Sequence, residues 1–272
     1  MTAVDKYTLI MLSVIALIYG CSKEKEPGNT TNPTGNCRVK EENTSGEILQ
    51  PYRTAYEFNN AGFLTKESYF NNGDLTWYEG YEYDQNGKIT SWSQFSPGGH
   101  IREKRIASYG TDGRISGYTN IRWDAWSIDT SYYYYAYEGD KFIGYTLRGA
   151  DTTSKIIRYY QGGNLVKMES FNGNNEIEEY QIYTYSDVLN KEFEQESNLV
   201  LLSRALPSKY LPSTRKIFNV VLDKIEYDES FGYITNSEGY VVEMTNKTTR
   251  YLDTPYSNLE VISTTKYTYQ CD

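Results

Sequence analysis

The sequence is poor in several residue types on which common protein functions depend. It has one His, three Cys and seven Pro among 272 residues, and its apolar share of 39% includes 29 Tyr, which leaves few aliphatic side chains. A core of ordinary aliphatic richness is therefore excluded. Aromatic and β-branched residues are abundant, however, so the chain is not expected to be disordered.

Positive charge is also scarce, since 27 Lys and Arg stand against 36 Asp and Glu and give a net charge of −9. This balance disfavours a protein that binds nucleic-acid phosphates. A single His and the absence of a Cys-x-x-Cys pair leave too few ligands for a metal site. We expect neither a metal nor another cofactor.

Signatures of catalysis are few. The only His, His100, follows Pro97-Gly98-Gly99 in an expected turn, where a solvated side chain is the ordinary outcome. The adjacent carboxylates Glu178-Glu179 lie on opposite sides of a strand, so they cannot face each other as acid and base. No Gly-x-Ser-x-Gly elbow or phosphate loop is present. We expect a protein that is not an enzyme, although a hydrolase that uses carboxylates from distant strands stays open.

The N-terminus carries an export signal. Residues Leu9 to Gly20 form an apolar run of 12, which suits a signal-peptide core and is too short to span a bilayer as a helix. The tetrapeptide Ile18-Tyr19-Gly20-Cys21 resembles the lipobox of bacterial lipoproteins. The resemblance implies cleavage before Cys21 and acylation of that residue, whereas the alternative is an ordinary secretory signal with an unrelated Cys.

Acylation at Cys21 predicts a protein held at the outer membrane by its lipid rather than by a spanning segment. Residues 1–20 are then the signal peptide. Residues 21–36 are polar and rich in Pro, Gly, Thr and Asn, which predicts a flexible tether. Residues 37–272 are expected to form a single all-β repeat domain. Whether this domain faces the periplasm or the cell exterior stays open.

Two further cysteines, Cys37 and Cys271, lie near the two ends of this domain. An exported chain reaches an oxidising compartment, where such a pair is a candidate disulfide. The bond would close almost the whole domain into one loop. The alternative is a pair of unrelated thiols, and the sequence does not decide between the two.

A phrase of about 25 residues recurs through the first part of the domain. It is marked by a Gly at positions 62, 87, 113, 139 and 163. An aromatic residue stands four positions before each Gly: Phe58, Tyr83, Tyr109, Tyr135 and Tyr159. An aliphatic residue stands two positions after it: Leu64, Ile89, Ile115 and Leu165, with Lys141 and Phe142 at the departing fourth copy.

Each copy has the pattern of a β-hairpin. A Tyr-x-Tyr pair puts two rings on one face of a strand, and Asn/Asp-x-x-Gly turns the chain. Turns recur about every 12 residues and predict about 11 strands over 52–185 and about 14 in all, as an antiparallel up-and-down meander. The meander is expected to close into a soluble barrel or a strongly curved sheet. A helix is predicted over 190–206, before Pro207.

The unit Tyr83-Asp84-Gln85-Asn86-Gly87-Lys88-Ile89 resembles the YD repeat of Rhs-type proteins. The whole domain resembles a family of lipoproteins of Gram-negative gut commensals with a porin-like fold, including an insertion at Leu206-Pro207-Ser208-Lys209. The resemblance implies a barrel-like all-β fold, with no established activity and no catalytic residue. A mean hydropathy of −0.66 and the final Asp272 favour a soluble barrel over a transmembrane pore.

Exposed aromatic side chains are the sharper functional lead. The run Tyr132 to Tyr135 predicts rings on both faces of one strand. The chain has four tryptophans, Trp77, Trp92, Trp123 and Trp126. Each of them either fills the aromatic core or contacts a ligand, and the sequence leaves both alternatives open. The favoured function is a non-catalytic, lipid-anchored envelope or cell-surface protein that binds a glycan or another protein. The alternative is a structural accessory lipoprotein of an outer-membrane assembly.

Overall fold

A single antiparallel sheet of 16 strands closes on itself in the computed structural model, which describes residues 37–46, 52–124, 126–148, 151–191, 208–251 and 258–271. Each strand pairs with its neighbours in the chain, and β16 pairs with β1 to complete the barrel. The strands are β1 (Cys37–Gly46), β2 (Tyr52–Phe58), β3 (Leu64–Asn71), β4 (Asp74–Tyr83), β5 (Ile89–Phe95), β6 (Ile101–Tyr109), β7 (Ile115–Trp123), β8 (Ile128–Glu138), β9 (Lys141–Arg148), β10 (Asp151–Gln161), β11 (Asn164–Asn172), β12 (Ile177–Leu189), β13 (Tyr210–Asn219), β14 (Lys224–Thr235), β15 (Val241–Arg250) and β16 (Leu259–Cys271).

The predicted meander is confirmed, including 11 strands from β2 to β12. The total exceeds the predicted 14, because strands such as β1 contain no Tyr-x-Tyr pair that would mark them in the sequence. The helix predicted over 190–206 lies outside the described residues, apart from Asn190 and Lys191, which are not helical. Among the described residues, no helix is long and apolar enough to cross a membrane.

The turns that follow β2, β4, β6, β8, β10 and β14 lie at one end of the barrel, here called the tyrosine end. The turns between the other hairpins lie at the opposite end, called the far end. The Asn/Asp-x-x-Gly motif closes the turns after β2, β4 and β14; in the second of these, Asp84 Oδ1 accepts the backbone N–H groups of Asn86 and Lys88 at 2.8 and 2.9 Å. Gly87 completes this turn with a φ of 76°, a conformation that favours glycine.

Tyrosine hydroxyls bind successive hairpins together at the tyrosine end. Tyr83 donates to the carbonyl of Leu64 at 2.8 Å, and Tyr109 donates to the carbonyl of Ile89 at 2.8 Å. The same bond links four more pairs: Tyr137 to Ile115, Tyr185 to Leu165, Tyr233 to Pro212 and Tyr269 to Val241. The repeated tyrosine therefore provides both a ring for packing and a donor for the backbone of the hairpin before it.

The fourth and fifth copies correct the predicted alignment. In the fourth copy Tyr137, and not Tyr135, makes the hydroxyl bond. The turn here has only two residues, between the paired Glu138 and Lys141, so the strand continues two residues further before the chain turns. Phe142 takes the aliphatic position and is buried. In the fifth copy Tyr159 donates to the Glu169 carboxylate at 2.6 Å.

The two ends of the chain meet where the barrel closes. Cys37 pairs with Cys271 across β1 and β16, and their Sγ atoms form a disulfide. The pairing that the sequence left open is therefore present in the structure. The bond lies at the tyrosine end, so both the hydroxyl ladder and the covalent closure stabilise the same end of the barrel.

Candidate functional site

One set of alternating side chains lines the inside of the barrel. Trp92 on β5 and Tyr118 on β7 have ring centroids 5.4 Å apart, although β5 and β7 are not paired with each other. Rings can meet across an intervening strand only on the concave face of a curved sheet, which is the lumen. Ile89, Trp92, Ile115 and Tyr118 form the buried core on this face, with the repeat tyrosines packed around them.

Carboxylates of four strands lie in the lumen among tyrosines: Glu42, Glu67, Glu79 and Glu103. The Tyr81 hydroxyl lies 2.9 Å from Glu67 Oε2 and 2.7 Å from Glu79 Oε2. Burial raises the pKa of Glu79, and the nearby Glu67 carboxylate adds to this effect. Burial raises the pKa of Glu42 in the same way. The Tyr81 hydroxyl is therefore shared between two luminal carboxyl groups.

Three half-buried arginines lie on the same inner face, on strands further round the barrel: Arg105 on β6, Arg158 on β10 and Arg215 on β13. The more exposed Arg122 of β7 contacts Glu103 on this face at 3.3 Å. The Arg105 guanidinium lies 4.7 Å from the Trp92 ring centroid and 5.7 Å from that of Tyr118. Arg158 lies 5.4 Å from the Phe142 ring centroid. The lumen thus combines charged groups of both signs with a wall of aromatic rings.

A recess of about 210 Å³ opens at the tyrosine end, on the side of the barrel formed by β12 to β16. Phe231, Tyr233, Tyr267 and Tyr269 line it together with Met244. The three tyrosine hydroxyls bond to the protein, since Tyr233 donates to the Pro212 carbonyl, Tyr269 donates to the Val241 carbonyl, and Tyr267 contacts Met244 Sδ at 3.9 Å. The rings are therefore held in fixed positions.

The outer face of the barrel carries ion pairs between neighbouring strands. Lys66 Nζ lies 3.0 Å from Glu57, and Lys247 Nζ lies 2.7 Å from Glu260. Similar pairs join other strands: Arg53 to Glu41, Lys104 to Glu82, Lys216 to Asp228 and Lys266 to Glu243. These pairs lie on the outer faces of β1 to β4, β6 and β13 to β16.

The four tryptophans occupy different environments. Trp92 is only 4% exposed and belongs to the core, which favours the core interpretation for this residue. Trp77 stacks on Tyr69 with ring centroids 3.5 Å apart and is half-buried. Trp123 is half-buried at the end of β7. Trp126 is 97% exposed in the turn after it, so it alone is fully available to a partner.

Other residues singled out from the sequence are less prominent. His100 is exposed in a far-end turn, as its sequence context predicts. Tyr133 and Tyr135 are half-buried on the inner face, whereas Tyr132 and Tyr134 are exposed on the outer face. Glu178 is exposed and Glu179 is half-buried, on opposite sides of β12. The structure does not bring these side chains together.

The far end of the barrel carries an unusual number of exposed apolar side chains, here called the far rim. They project from the far-end turns and the strand ends beside them: Tyr52, Ile101, Trp126, Ile128, Ile177, Val220, Val221, Leu222 and Leu259. Val221 is 77% exposed. The rim surrounds an opening, so its apolar groups form a candidate contact surface.

Sequence reasoning identified Trp126 but missed the recess, the luminal arginines and the rest of the far rim. The recess lining comes from strands more than 40 residues apart in the chain, such as Leu189 and Phe231. The inner position of an Arg follows from its strand register, and a one-residue change of register would move it to the outer face. Alternation within Glu103-Lys104-Arg105 was the one local signal for paired inner charges.

Two of the solved structures similar to this chain are porin-like proteins. The protein from Bacteroides vulgatus is 14% identical over 85% of this chain and 98% of its own, with a TM-score of 0.48. The protein from Bacteroides uniformis is 14% identical over 85% of this chain and 96% of its own, with a TM-score of 0.40. No family model and no curated protein matches the chain. The fold itself defines the class, an antiparallel β-barrel of 16 strands.

Proposed function

We propose that this chain is a non-catalytic lipoprotein of the bacterial outer membrane, anchored by acylation of Cys21, that binds a saccharide in the recess at the tyrosine end of its barrel. The recess carries the proposal. It is concave, apolar and lined by rings, and aromatic faces pack well against the apolar faces of sugars. Its volume of about 210 Å³ is below the range of about 300–1,000 Å³ for larger ligands, so a single sugar unit is the expected occupant.

The fixed hydroxyls of the recess support binding rather than mere packing. Tyr233 and Tyr269 donate to backbone carbonyls at 2.8 and 2.7 Å, so their rings do not need to be ordered when a ligand arrives. Ordering a side chain on binding costs about 0.5–1.5 kcal/mol, and a preorganised site avoids this cost. Lys191 adds a cation 4.6 Å from the Tyr240 ring centroid at the edge of the recess.

The outer wall supports attachment by lipid rather than by the barrel. A Lys or Arg on the lipid face of a membrane barrel costs about 2–4 kcal/mol near the bilayer centre, and this barrel has cross-strand ion pairs on the outer faces of β1 to β4, β6 and β13 to β16. We expect the wild-type protein to remain in the membrane fraction and C21S to be released. C21S that still requires detergent would contradict the lipid anchor.

Saccharide binding is tested with the full chain on a glycan array, followed by titration of each hit. F231A removes a lining ring that makes no hydroxyl bond, and Y134A removes an exposed ring from the outer face as the matched control. We expect F231A to weaken binding at least about tenfold, since a buried aromatic contact contributes more than about 1.4 kcal/mol, and Y134A to have no effect. Equal effects, or no hit, would overturn the proposal.

A second candidate function follows from the far rim. Its exposed apolar side chains favour a structural accessory lipoprotein that docks onto an envelope protein through Trp126 and Val221. Extraction of complexes in mild detergent from cells that express wild-type or W126S protein distinguishes the two. A partner at constant stoichiometry that is lost in W126S, with no saccharide bound by the purified chain, would favour this candidate over the first.

Hydrolysis is the third and least favoured candidate. Its motive is the Glu67–Glu79 pair, whose carboxylates approach one hydroxyl, while burial raises the pKa of Glu79. Both oxygens of Glu67 and Oε2 of Glu79 already accept hydrogen bonds from tyrosine hydroxyls, which is typical of a structural network. If the purified protein hydrolyses a polysaccharide and E79Q does not, the protein is an enzyme and this candidate replaces the first.

A further inference from the structure

The three luminal arginines differ in their compensation. Arg105 Nε lies 2.5 Å from Glu103 Oε1, and Asn120 Oδ1 accepts from the same atom at 3.3 Å. Arg215 forms an ion pair with Glu229. Two of the three positive charges therefore have a carboxylate beside them, as buried charges usually do.

Arg158 has no such partner in the described part of the chain. Its Nε atom is buried and lacks any hydrogen-bond acceptor there. The titratable groups that act on it most are phenols rather than carboxylates: Tyr118, Tyr135, Tyr160 and Tyr183. Burial lowers the pKa of the guanidinium, which shows how poorly the neutral phenols replace water around this charge.

A buried guanidinium nitrogen without an acceptor among the described residues is unfavourable for the empty protein. Arg does not lose its proton at physiological pH, so it cannot escape the cost of burial by becoming neutral. Removing water from a charge costs several kcal/mol unless an opposite charge and hydrogen bonds replace it. A ligand that supplies the missing negative charge is the arrangement that removes this cost.

We infer that Arg158 anchors a binding site in the lumen for the oxyanion group, a carboxylate or a sulfate ester, of an acidic saccharide. The planar fork of the guanidinium suits bidentate contact with either group. Phenols of strands β7, β8, β10 and β12 interact electrostatically with it. The half-buried Tyr135, packed against the buried Phe142 with ring centroids 4.8 Å apart, offers a ring face to the sugar. The saccharide class rests on the proposed function, whereas the negative charge rests on Arg158 alone.

The test compares charged and neutral probes on the full chain by isothermal titration. D-glucuronate represents the carboxylate, N-acetylglucosamine 6-sulfate the sulfate ester, and D-glucose and N-acetylglucosamine are their neutral counterparts. We expect at least one acidic probe to bind more tightly than its counterpart. R158M should weaken that probe about ten- to a hundredfold, R158K should weaken it less, and neither should change the neutral sugar. The exposed R102M is the matched control and should change nothing.

Thermal unfolding separates this role from a structural one. R215M leaves Glu229 buried without its partner and should lower the unfolding temperature, whereas R158M removes an uncompensated charge and should leave it unchanged or raise it. Acidic probes that bind no better than neutral ones, or equally to R158M, would overturn this inference and leave the recess proposal standing. Destabilisation of R158M like that of R215M would overturn it as well. If R158M no longer binds the acidic probes and F231A binds every saccharide as the wild type does, the proposed saccharide site in the recess is overturned and the Arg158 site stands.

Discussion

The two ends of the barrel share turn chemistry but differ in their other contacts, since Asn or Asp side chains close turns at both ends. At the tyrosine end, tyrosine hydroxyls also satisfy backbone carbonyls, and the disulfide joins the first strand to the last. At the far end, turns such as the one that contains Val220, Val221 and Leu222 expose apolar groups to solvent. The hydroxyl bonds and the disulfide therefore stabilise one end of the barrel, whereas the other end exposes apolar side chains that can contact a partner.

This difference indicates that the tyrosine end provides most of the stability and that the far rim is the surface for contact with other proteins. Regions with dense internal hydrogen bonds open last, whereas turns with few contacts are free to adapt to a partner. The N-terminus of the domain, Cys37, belongs to the stable end, and the recess lies at that end as well. We expect substitutions at the tyrosine end to change the free energy of unfolding, and substitutions at the far rim to change association instead.

The largest effect is expected from the covalent closure. Replacement of both Cys37 and Cys271 by Ser should lower the free energy of unfolding by about 3–5 kcal/mol, because the disulfide spans 234 residues and restricts the unfolded chain strongly. Guanidinium titration followed by fluorescence measures the change. C21S is the control and should unfold like the wild type. A loss below about 1 kcal/mol would show that the hydroxyl ladder holds this end without the bond.

A glycine of the tyrosine-end turns should come next. G87A forces a side chain into a backbone with φ of 76° and places its Cβ 2.5 Å from Cζ of Phe63. We expect a loss of about 2–3 kcal/mol from backbone strain and overpacking together. G139A has a φ of 58° and no atom within 4 Å of its Cβ, so it should lose only about 1 kcal/mol. Equal losses would mean that Phe63 yields freely.

A single rung of the hydroxyl ladder should have a smaller effect. Y109F keeps the ring but removes the donor to the Ile89 carbonyl, and we expect a loss of about 1 kcal/mol. Y134F removes an exposed hydroxyl from the outer face and should be neutral within about 0.5 kcal/mol. Urea unfolding of the two variants side by side gives the comparison. If Y109F has the same free energy of unfolding as the wild type, the repeated tyrosine stabilises the barrel through its ring alone.

The far rim should give almost no effect on stability. V221S replaces a side chain that is 77% exposed, so the free energy of unfolding should stay within about 0.5 kcal/mol of the wild type. The variant should instead bind less of an apolar dye such as anilinonaphthalene sulfonate, because the exposed apolar area is smaller. Destabilisation by more than about 1 kcal/mol would show that both ends are built alike.

Much of the fold could be read from local patterns, because a hairpin is a local structure. Tyr83, Gly87 and Ile89 mark their turn and the strands beside it without reference to the rest of the chain. The fourth copy shows where this reading fails: the turn is shorter, and Tyr137 replaces Tyr135 in the ladder. A change of turn length is invisible to a pattern that counts only from the Gly.

The candidate sites were largely beyond the sequence. Trp77 and Trp92 both lie within strands, yet Trp92 is 4% exposed in the core whereas Trp77 is half-buried against Tyr69. This difference depends on which rings pack beside each tryptophan, whereas the position of Trp126 in a turn is a local feature of the sequence. Arg158 likewise stands between ordinary neighbours, and only the lack of an acceptor for its Nε atom among the described residues makes it distinctive.

The sequence by itself determined the repeated hairpins, the turn chemistry, the aromatic core and the predicted signal at Cys21, because all of these depend on residues close together in the chain. The tertiary structure alone decided that 16 strands close, that Cys37 meets Cys271, and which side chains enter the lumen. Closure, register and charge compensation are relations between distant strands. A rule of local spacing contains no information about them, because burial and electrostatic free energy depend on every group that surrounds a side chain.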